Sequence, residues 1–204
     1  MKNICCIVNP VSGLKKSLKV YYEAKNLFEK SDFNTSLFVS EYPNHIKDYV
    51  SKIEKNRFDR IIVFGGDGSI NEVVNGLNDS NNLQSFKLGV IPTGSGNSVA
   101  HDTGLLDIKD AISKSLGDNI IKMDLNKVDF DSDSRLSVSV LGWGMFSYGN
   151  IRAEKLRLLG PIRYDVASII TLLEKKIHKA EVEVDGKLKL LECAFIVACN
   201  SKHT

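Results

Sequence analysis

The stretch "IIVFGGDGSINEVVNGL", residues 61–77, sets an apolar run against three glycines that surround a single aspartate. An apolar run without alternation suits a strand buried on both faces of a sheet. The segment "SINEVVNGL" that follows reads as a helix. Strand, glycine loop and helix therefore follow one another within seventeen residues. Glycine costs conformational entropy, so Gly65, Gly66 and Gly68 imply positive backbone angles or very close approach by another group. Asp67 stands among them as an anion whose purpose has to be found.

Working outward, the same alternation recurs. "ICCIVNP" (4–10) is a short strand ending in a turn, and "SLKVYYEAKNLFEK" (17–30) repeats Leu18, Tyr21, Tyr22, Ala24, Leu27 and Phe28 at helical spacing. "TSLFVSE" reads as a strand, "HIKDYVSKIEK" as a helix, "RIIVFGG" as a strand and "KLGVIPTGSGN" as a strand with its loop. "SVAHDTG" and "IKDAISKSL" read as two short helices. Strands alternating with helices at this spacing predict an α/β fold, a Rossmann-like parallel sheet with helices on both faces. Beyond about residue 118 the pattern changes. "IIKMDLNKVDF", "SRLSVSVLGWG" and "KAEVEVDGKLKLLECAFIVACN" are strand-like, with a hairpin signal at Asp185-Gly186. Between them "NIRAEKLRLLGPIRYDVASIITLLEKK" is helical, broken at Gly160-Pro161. The expected organisation is an α/β domain over residues 1–118 and a mostly β second domain over residues 119–204, ending soon after an apolar strand as if cut short.

Composition narrows the function classes. The net charge of +2 gives no argument for nucleic acid, and 43% hydrophobic residues suffice for a packed core. The N-terminal apolar run is too short for a signal peptide, and no segment has the length of a membrane-spanning helix. Cys5, Cys6, Cys193 and Cys199 show no zinc-ligand spacing and are expected to be reduced thiols in buried strands. A cytoplasmic enzyme domain fits best, with a homodimer allowed.

Three loops carry the chemistry. "NPVSG" follows the first strand, "GGDGS" the third and "PTGSGN" the fourth. In an open α/β sheet such loops share the carboxyl edge, where ligands bind. Glycines admit phosphate oxygens to backbone amides, and helices starting near Ser69 and Ser98 would add their positive ends. Together the loops describe a polyphosphate cradle. A carboxylate in such a place works on a metal ion or a proton, and phosphoryl transfer needs both; the alternative for Asp67 is a turn or N-cap aspartate. No Walker A, HRD or DFG sequence is present, and no G-x-G-x-x-G follows the first strand.

"VFGGDGSINEVVNGL" followed by "IPTGSGNSVA" resembles the diacylglycerol kinase catalytic domain family of lipid kinases, which includes sphingosine and ceramide kinases. "WGMFSYGNIRAEKLRLLGPIRYD" (143–165) is similar to the sphingosine and ceramide kinase branch. The resemblance implies an ATP- and magnesium-dependent kinase acting on a lipid hydroxyl, with Asp67 as the base. It implies nucleotide contacts from Asn9, Pro10 and Val11, from Ser40, Glu41 and Asn44 in "SEYPNH", and from Gly65, Gly66, Gly68 and Glu72. It extends them to Thr93, Gly94, Ser95, Gly96 and Asn97, and to Arg157 and Arg163, whose guanidinium forks suit phosphate. Trp143, Phe146 and Asn150 would face the acceptor. Sphingosine kinases carry an aspartate where this chain has Asn150, which favours an uncharged acceptor such as ceramide or a glycerolipid. The family also continues well past the last residue here.

A lipid acceptor requires an apolar pocket and contact with a membrane surface. The expected pocket wall runs over Trp143, Met145, Phe146, Ile151, Leu156, Leu158, Leu159, Ile169, Ile170, Leu172 and Leu173. Between Ile151 and Lys179 seven Lys or Arg face three Asp or Glu, a modest attraction to anionic headgroups. The rival readings are an NAD or sugar kinase with the same glycine motif, which needs a polar acceptor pocket, and a nucleotide-binding module without catalysis.

Overall fold

A computed structural model of the chain describes residues 2–31, 33–156, 162–174 and 176–202. Its strands and helices fall into two units, residues 1–139 with 200–204, and residues 140–199.

The first unit is built on four parallel strands: β1 (Lys2–Val8), β2 (Phe33–Val39), β3 (Arg60–Gly65) and β4 (Lys87–Pro92), in the order β2-β1-β3-β4. Helices α1 (Ser17–Lys30), α2 (His45–Val50), α3 (Asp67–Asp79), α4 (Ser98–Asp102) and α5 (Ile108–Leu116) connect or follow them. The chain leaves β1 toward β2 and returns across it to β3. Right-handed crossovers then put α1 on one face and α2 with α3 on the other. The strand pleat matches this division. Ile4, Cys6, Val8, Ile62 and Phe64 pack with Val20, Tyr21, Ala24 and Phe28 of α1 and Ile112 of α5. Cys5, Ile7, Ile61 and Val63 pack with Ile46 and Val50 of α2 and with Ile70, Val73 and Leu77 of α3. Two-faced burial explains why these strands read as unbroken apolar runs. A short antiparallel pair, β5 (Asn126–Asp129) and β6 (Ser134–Ser137), completes the unit.

The second unit holds β7 (Val140–Gly144), α6 (Met145–Lys155), α7 (Arg163–Leu173), β8 (His178–Val184), β9 (Lys187–Cys193) and β10 (Phe195–Cys199). β7 pairs antiparallel with β10, and β8 with β9. The β8–β9 turn has φ of 51° at Asp185 and 73° at Gly186, the two positive angles of a type I′ hairpin. Arg152 joins α6 to α7 by donating to Thr171 Oγ1 at 3.2 Å and to Glu174 Oε1 at 2.5 Å.

Several expectations shift. The helix expected over residues 45–55 stops at Val50, and turns then carry Ile53 and Phe58 into the core. The run "SRLSVSVLGWG" divides between β6 and β7, which pair with different partners. Residues 119–125 form no strand. Cys5 and Cys6 are buried, but Cys193 is only partly so and Cys199 is exposed, because their two-stranded ladders leave faces open.

Candidate functional site

The strand order reverses between β1 and β3, the place where open α/β sheets hold their ligands. The loops after β1, β3 and β4 meet there around a cleft of about 390 Å³. Asn9, Ser12 and Gly13 line it from the first loop, Gly66 to Ser69 with Glu72 from the second and the start of α3, and Gly94 to Gly96 from the third.

A hydrogen-bond lattice fixes the walls. Asn9 donates its backbone N–H to Phe64 O at 3.1 Å and its side-chain amide to Ser69 Oγ at 3.0 Å, so the β1 loop is tied to the first turn of α3. Asn9 Oδ1 accepts from Val11 N at 3.2 Å, closing an Asx turn. In the third loop Asn97, at φ 57°, exchanges two bonds with Gly94: its Oδ1 accepts from Gly94 N at 3.0 Å and its Nδ2 donates to Gly94 O at 2.9 Å. Beneath the loops the buried hydroxyls of Ser17 and Thr93 lie 2.7 Å apart.

Asp67 is the joint between the second and third loops. Its Oδ2 accepts from Ser98 N and its Oδ1 from Val99 N, both at 3.0 Å. Each oxygen keeps a further lone pair for another partner. The carboxylate therefore caps α4 from a distance of thirty-one residues while sitting in the first turn of its own helix. The positive end expected of the helix near Ser98 is consequently spent on Asp67. The start of α3 is different, because the N–H groups of its first turn have no intrahelical acceptors beyond the bonds that Ser69 and Ile70 make to Gly66 O. Glu72, one turn on, has its Oε2 bonded by Ile46 N at 3.1 Å, which orients it along the cleft wall.

The glycines divide into two kinds. A Cβ at Gly94 would lie 2.4 Å from Gly66 Cα, one at Gly65 would lie 2.5 Å from Ser69 Oγ, and one at Gly13, where φ is +54°, would lie 2.3 Å from Thr93 O. Gly94 and Gly13 thus let neighbouring loops touch one another, while Gly65 makes room for Ser69 of its own segment. Gly68 alone among the glycines of the motif has no atom within 4 Å of its missing Cβ, and its φ is not positive. No described residue requires glycine there, and the space in front of it is open to the cleft.

Other expected residues stand elsewhere. Gly65, Thr93 and Asn97 back the cleft wall without lining it; Pro10 and the exposed Val11 lie on the first loop outside it. Ser40, Glu41 and Asn44 follow β2 and do not line the cleft; Ser40 N donates to Val8 O at 3.0 Å and Glu41 N to His45 Nδ1 at 3.1 Å. Arg157 lies outside the described residues, as do Leu158 and Leu159, and the side chains of Phe146, Asn150, Arg163 and Leu172 are likewise not described. Trp143, on β7, is 45% exposed and stands edge-on to His178. The second unit has its own cavity of about 80 Å³, bordered by Met145, Tyr148, Thr171 and His178 among others. Ile151, Ile169, Ile170 and Leu173 are exposed. The sequence reading stopped at Val11 and so missed Ser12 and Gly13. Their signal was the remainder of the quoted "NPVSG" loop. Ser69 was missed as a lining residue although it completes "GGDGS".

With this geometry in hand, comparison with known proteins decides the family. Residues 3–128 match the model of the diacylglycerol kinase catalytic domain. The chain belongs to that family. Human ceramide kinase is 31% identical over 202 residues, covering 89% of this chain and 37% of that protein. Sphingosine kinase 2 of Arabidopsis thaliana is 31% identical over 175 residues, covering 80% of this chain and 36% of its own length. The chain thus spans little more than a third of these two lipid kinases. Among solved structures, a diacylglycerol kinase from Bacillus anthracis superposes with a TM-score of 0.71 at 21% identity, over 99% of this chain and 65% of that one, which shows a shared fold. The cleft described above lies wholly within the part of the chain that matches the catalytic domain model.

Proposed function

We propose that this member of the diacylglycerol kinase catalytic domain family carries the nucleotide site of an ATP-dependent lipid kinase, which transfers the γ-phosphoryl group to a lipid hydroxyl. The observation that carries the reading is a carboxylate, Asp67, aimed by two backbone amides into a glycine-walled cleft at the switch point of a parallel sheet. In that role the triphosphate lies along the first turn of α3, where free amides and the helix dipole favour anions. The room in front of Gly68 admits its oxygens. Asp67 accepts the proton of the lipid hydroxyl through a lone pair that its two amide partners leave open. The rest of the rate comes from positioning and charge stabilisation.

Magnesium binds such sites through one or two carboxylates and the substrate's own phosphates. Asp67 and Glu72, both lining the cleft, fit that need, and no group of three or more metal-ligating side chains occurs among the described residues. Bound there, the ion would neutralise phosphate charge.

The division of labour follows the sequence: residues 1–118 hold nucleotide, and residues 119–204 contribute to the acceptor side through Trp143, Phe146 and Asn150, with Arg157 and Arg163 reaching phosphate. The neutral Asn150 favours ceramide or diacylglycerol over a cationic sphingoid base. Exposed Ile151, Ile162, Ile169, Ile170 and Leu173, in a segment with seven basic and three acidic residues, support peripheral contact with an anionic cytoplasmic membrane surface. No helix among the described residues is long and apolar enough to cross a membrane.

The test is transfer of radiolabelled γ-phosphate to ceramide, sphingosine and diacylglycerol in mixed micelles, with NAD as the polar competitor. Label should enter the neutral lipids first. Label in NAD would replace the lipid reading with a polar-acceptor kinase. A second reading rests on the coverage of 37% of human ceramide kinase: nucleotide binding without turnover. A thermal shift with ATP and no transfer to any acceptor would favour it.

A further inference from the structure

The loop between β1 and α1 has two sides. Its inner side belongs to the cleft: Asn9, Ser12 and Gly13 line it, and a Cβ at Gly13 would stand 2.3 Å from Thr93 O. Turn hydrogen bonds hold the loop in shape, from Ser12 N to Asn9 O at 3.2 Å and from Lys15 N to Ser12 O at 3.1 Å. The outer side is built differently. Val11 is 71% exposed and Leu14 81%, the highest value for a large apolar side chain among the described residues. A single exposed leucine needs no explanation, but two apolar side chains on one anchored turn beside a cleft do.

Charge of one sign surrounds this pair. Lys15, Lys16 and Lys19 follow Leu14, all exposed, and no Asp or Glu precedes Glu23 in the sequence. Glu23 stands 3.9 Å from Lys19. Lys15 also stands out in its backbone. Its φ is +59°, whereas the other non-glycine residues with positive φ among the described ones are asparagines or an aspartate, which tolerate that region. Strain of this kind collects at ligand clamps and functional loops. Apolar side chains set among lysines, with no acid between them, suit a surface that rests on an anionic bilayer. The apolar groups enter the acyl boundary and the ammonium groups meet lipid phosphates. The phosphates of a soluble nucleotide would account for the lysines but not for Val11 and Leu14.

We propose that the β1–α1 loop, through Val11, Leu14, Lys15, Lys16 and Lys19, is a docking surface for an anionic lipid bilayer. The proposal deepens the lipid kinase reading and rests on it, because an acceptor hydroxyl held in a membrane has to come to the cleft that this loop borders. It puts a bilayer contact on the first unit itself, apart from the exposed isoleucines of α6 and α7. Leu14 directly follows the cleft-lining Gly13, so a bilayer that touches the outer side of the turn lies beside the site.

Co-sedimentation of the full chain with vesicles tests this without any turnover. The chain should bind phosphatidylcholine vesicles that contain about 30% phosphatidylserine, and lose most of that binding in about 0.5 M salt or without the anionic lipid. Leu14→Gln should weaken binding about five- to tenfold, through the loss of one inserted apolar side chain. Lys16→Gln combined with Lys19→Gln should weaken it about tenfold or more. Both variants change exposed side chains, so their urea midpoints should match the parent's. In the Leu14→Trp chain, brominated acyl chains should quench the added indole beyond the quenching that Trp143 shows in the parent. Unchanged vesicle binding in Leu14→Gln, above all if Leu173→Gln in α7 abolishes it, would overturn the loop's role. So would lysine variants that lose ATP affinity while keeping vesicle binding, which would assign the lysines to nucleotide phosphate. Loop-dependent vesicle binding in a chain that phosphorylates no lipid would uphold the surface and sink the kinase reading. Transfer to lipid in micelles without such binding would do the reverse.

Discussion

Gly68→Ala separates a glycine kept for a ligand from one kept for the fold. The new methyl group meets no protein atom within 4 Å, and the backbone there needs no positive φ. Alanine exceeds glycine in helix propensity by nearly 1 kcal/mol in a helix interior, and roughly half of that applies in the first turn of α3. The unliganded chain should therefore gain about 0.5 kcal/mol, which raises Tm by about 1–2 °C at this size. The same methyl group projects into the cleft, where a phosphate oxygen in hydrogen-bond contact with the α3 amides would need its space. A loss of at least tenfold in ATP affinity, about 1.4 kcal/mol, should follow. The two effects have opposite signs, so unfolding curves with and without magnesium-ATP read both at once: the apo transition rises and the nucleotide-induced increment shrinks. Gly149→Ala in α6, also without a neighbour within 4 Å, controls for helix propensity and should raise stability without touching ATP affinity. Unchanged ATP affinity in Gly68→Ala, or a fall in apo stability, would refute the reasoning.

Gly94→Ala should behave in the opposite way, because its Cβ would stand 2.4 Å from the Gly66 backbone, which cannot swing aside; a loss of about 2–4 kcal/mol is expected in urea unfolding, with ATP binding lost as well. Asp67→Asn should lower turnover by about two to four orders of magnitude. It also turns an NH2 group toward Ser98 N or Val99 N, so a Tm drop equivalent to about 1 kcal/mol should accompany it, while calorimetry finds ATP affinity within about threefold. Burial pushes the Cys5 thiol up to about 11 from 9.0, and Cys6 rises further for the same reason. The unfolded chain releases these protons first, so stability should hold below pH 9 and fall as pH rises from 9 through 11, by up to about 1.4 kcal/mol per pH unit per thiol. Urea midpoints across that range check the sign; a rise would contradict it.

Much of this architecture was legible from local signals. The periodicity of "SLKVYYEAKNLFEK" gave α1 with both ends correct, because a stripe against one sheet face is a local pattern. The three glycine loops announced the cleft edge, and "VDGK" announced the β8–β9 hairpin. What local reading could not reach depends on distant partners. Gly66 and Gly94 are twenty-eight residues apart, and only their contact reveals that they are glycine for each other's sake. The bond from Asp67 to the start of α4 spans a similar interval, and no pattern around "GGDG" encodes it. Asn71 and Asn75 read as ordinary polar positions on a helix face until β6 is laid beside them. The run over 134–144 concealed its division because both halves are equally strand-like and only their partners differ.

The cleft's stiffness follows from how few atoms its walls share. Loops 65–68 and 94–97 are short, and each on its own would be free to open. The Gly66–Gly94 contact removes the gap between them, and Asp67 bolts the pair to α4 with two bonds that a rotation of its carboxylate would break together. A carboxylate held in that way loses the freedom to turn away, which is the preorganisation that its proposed role as proton acceptor requires. The capping reading and the catalytic reading of Asp67 are thus not competitors. The bonds to Ser98 and Val99 supply the rigidity, and in the proposed kinase role the remaining lone pairs would take the proton.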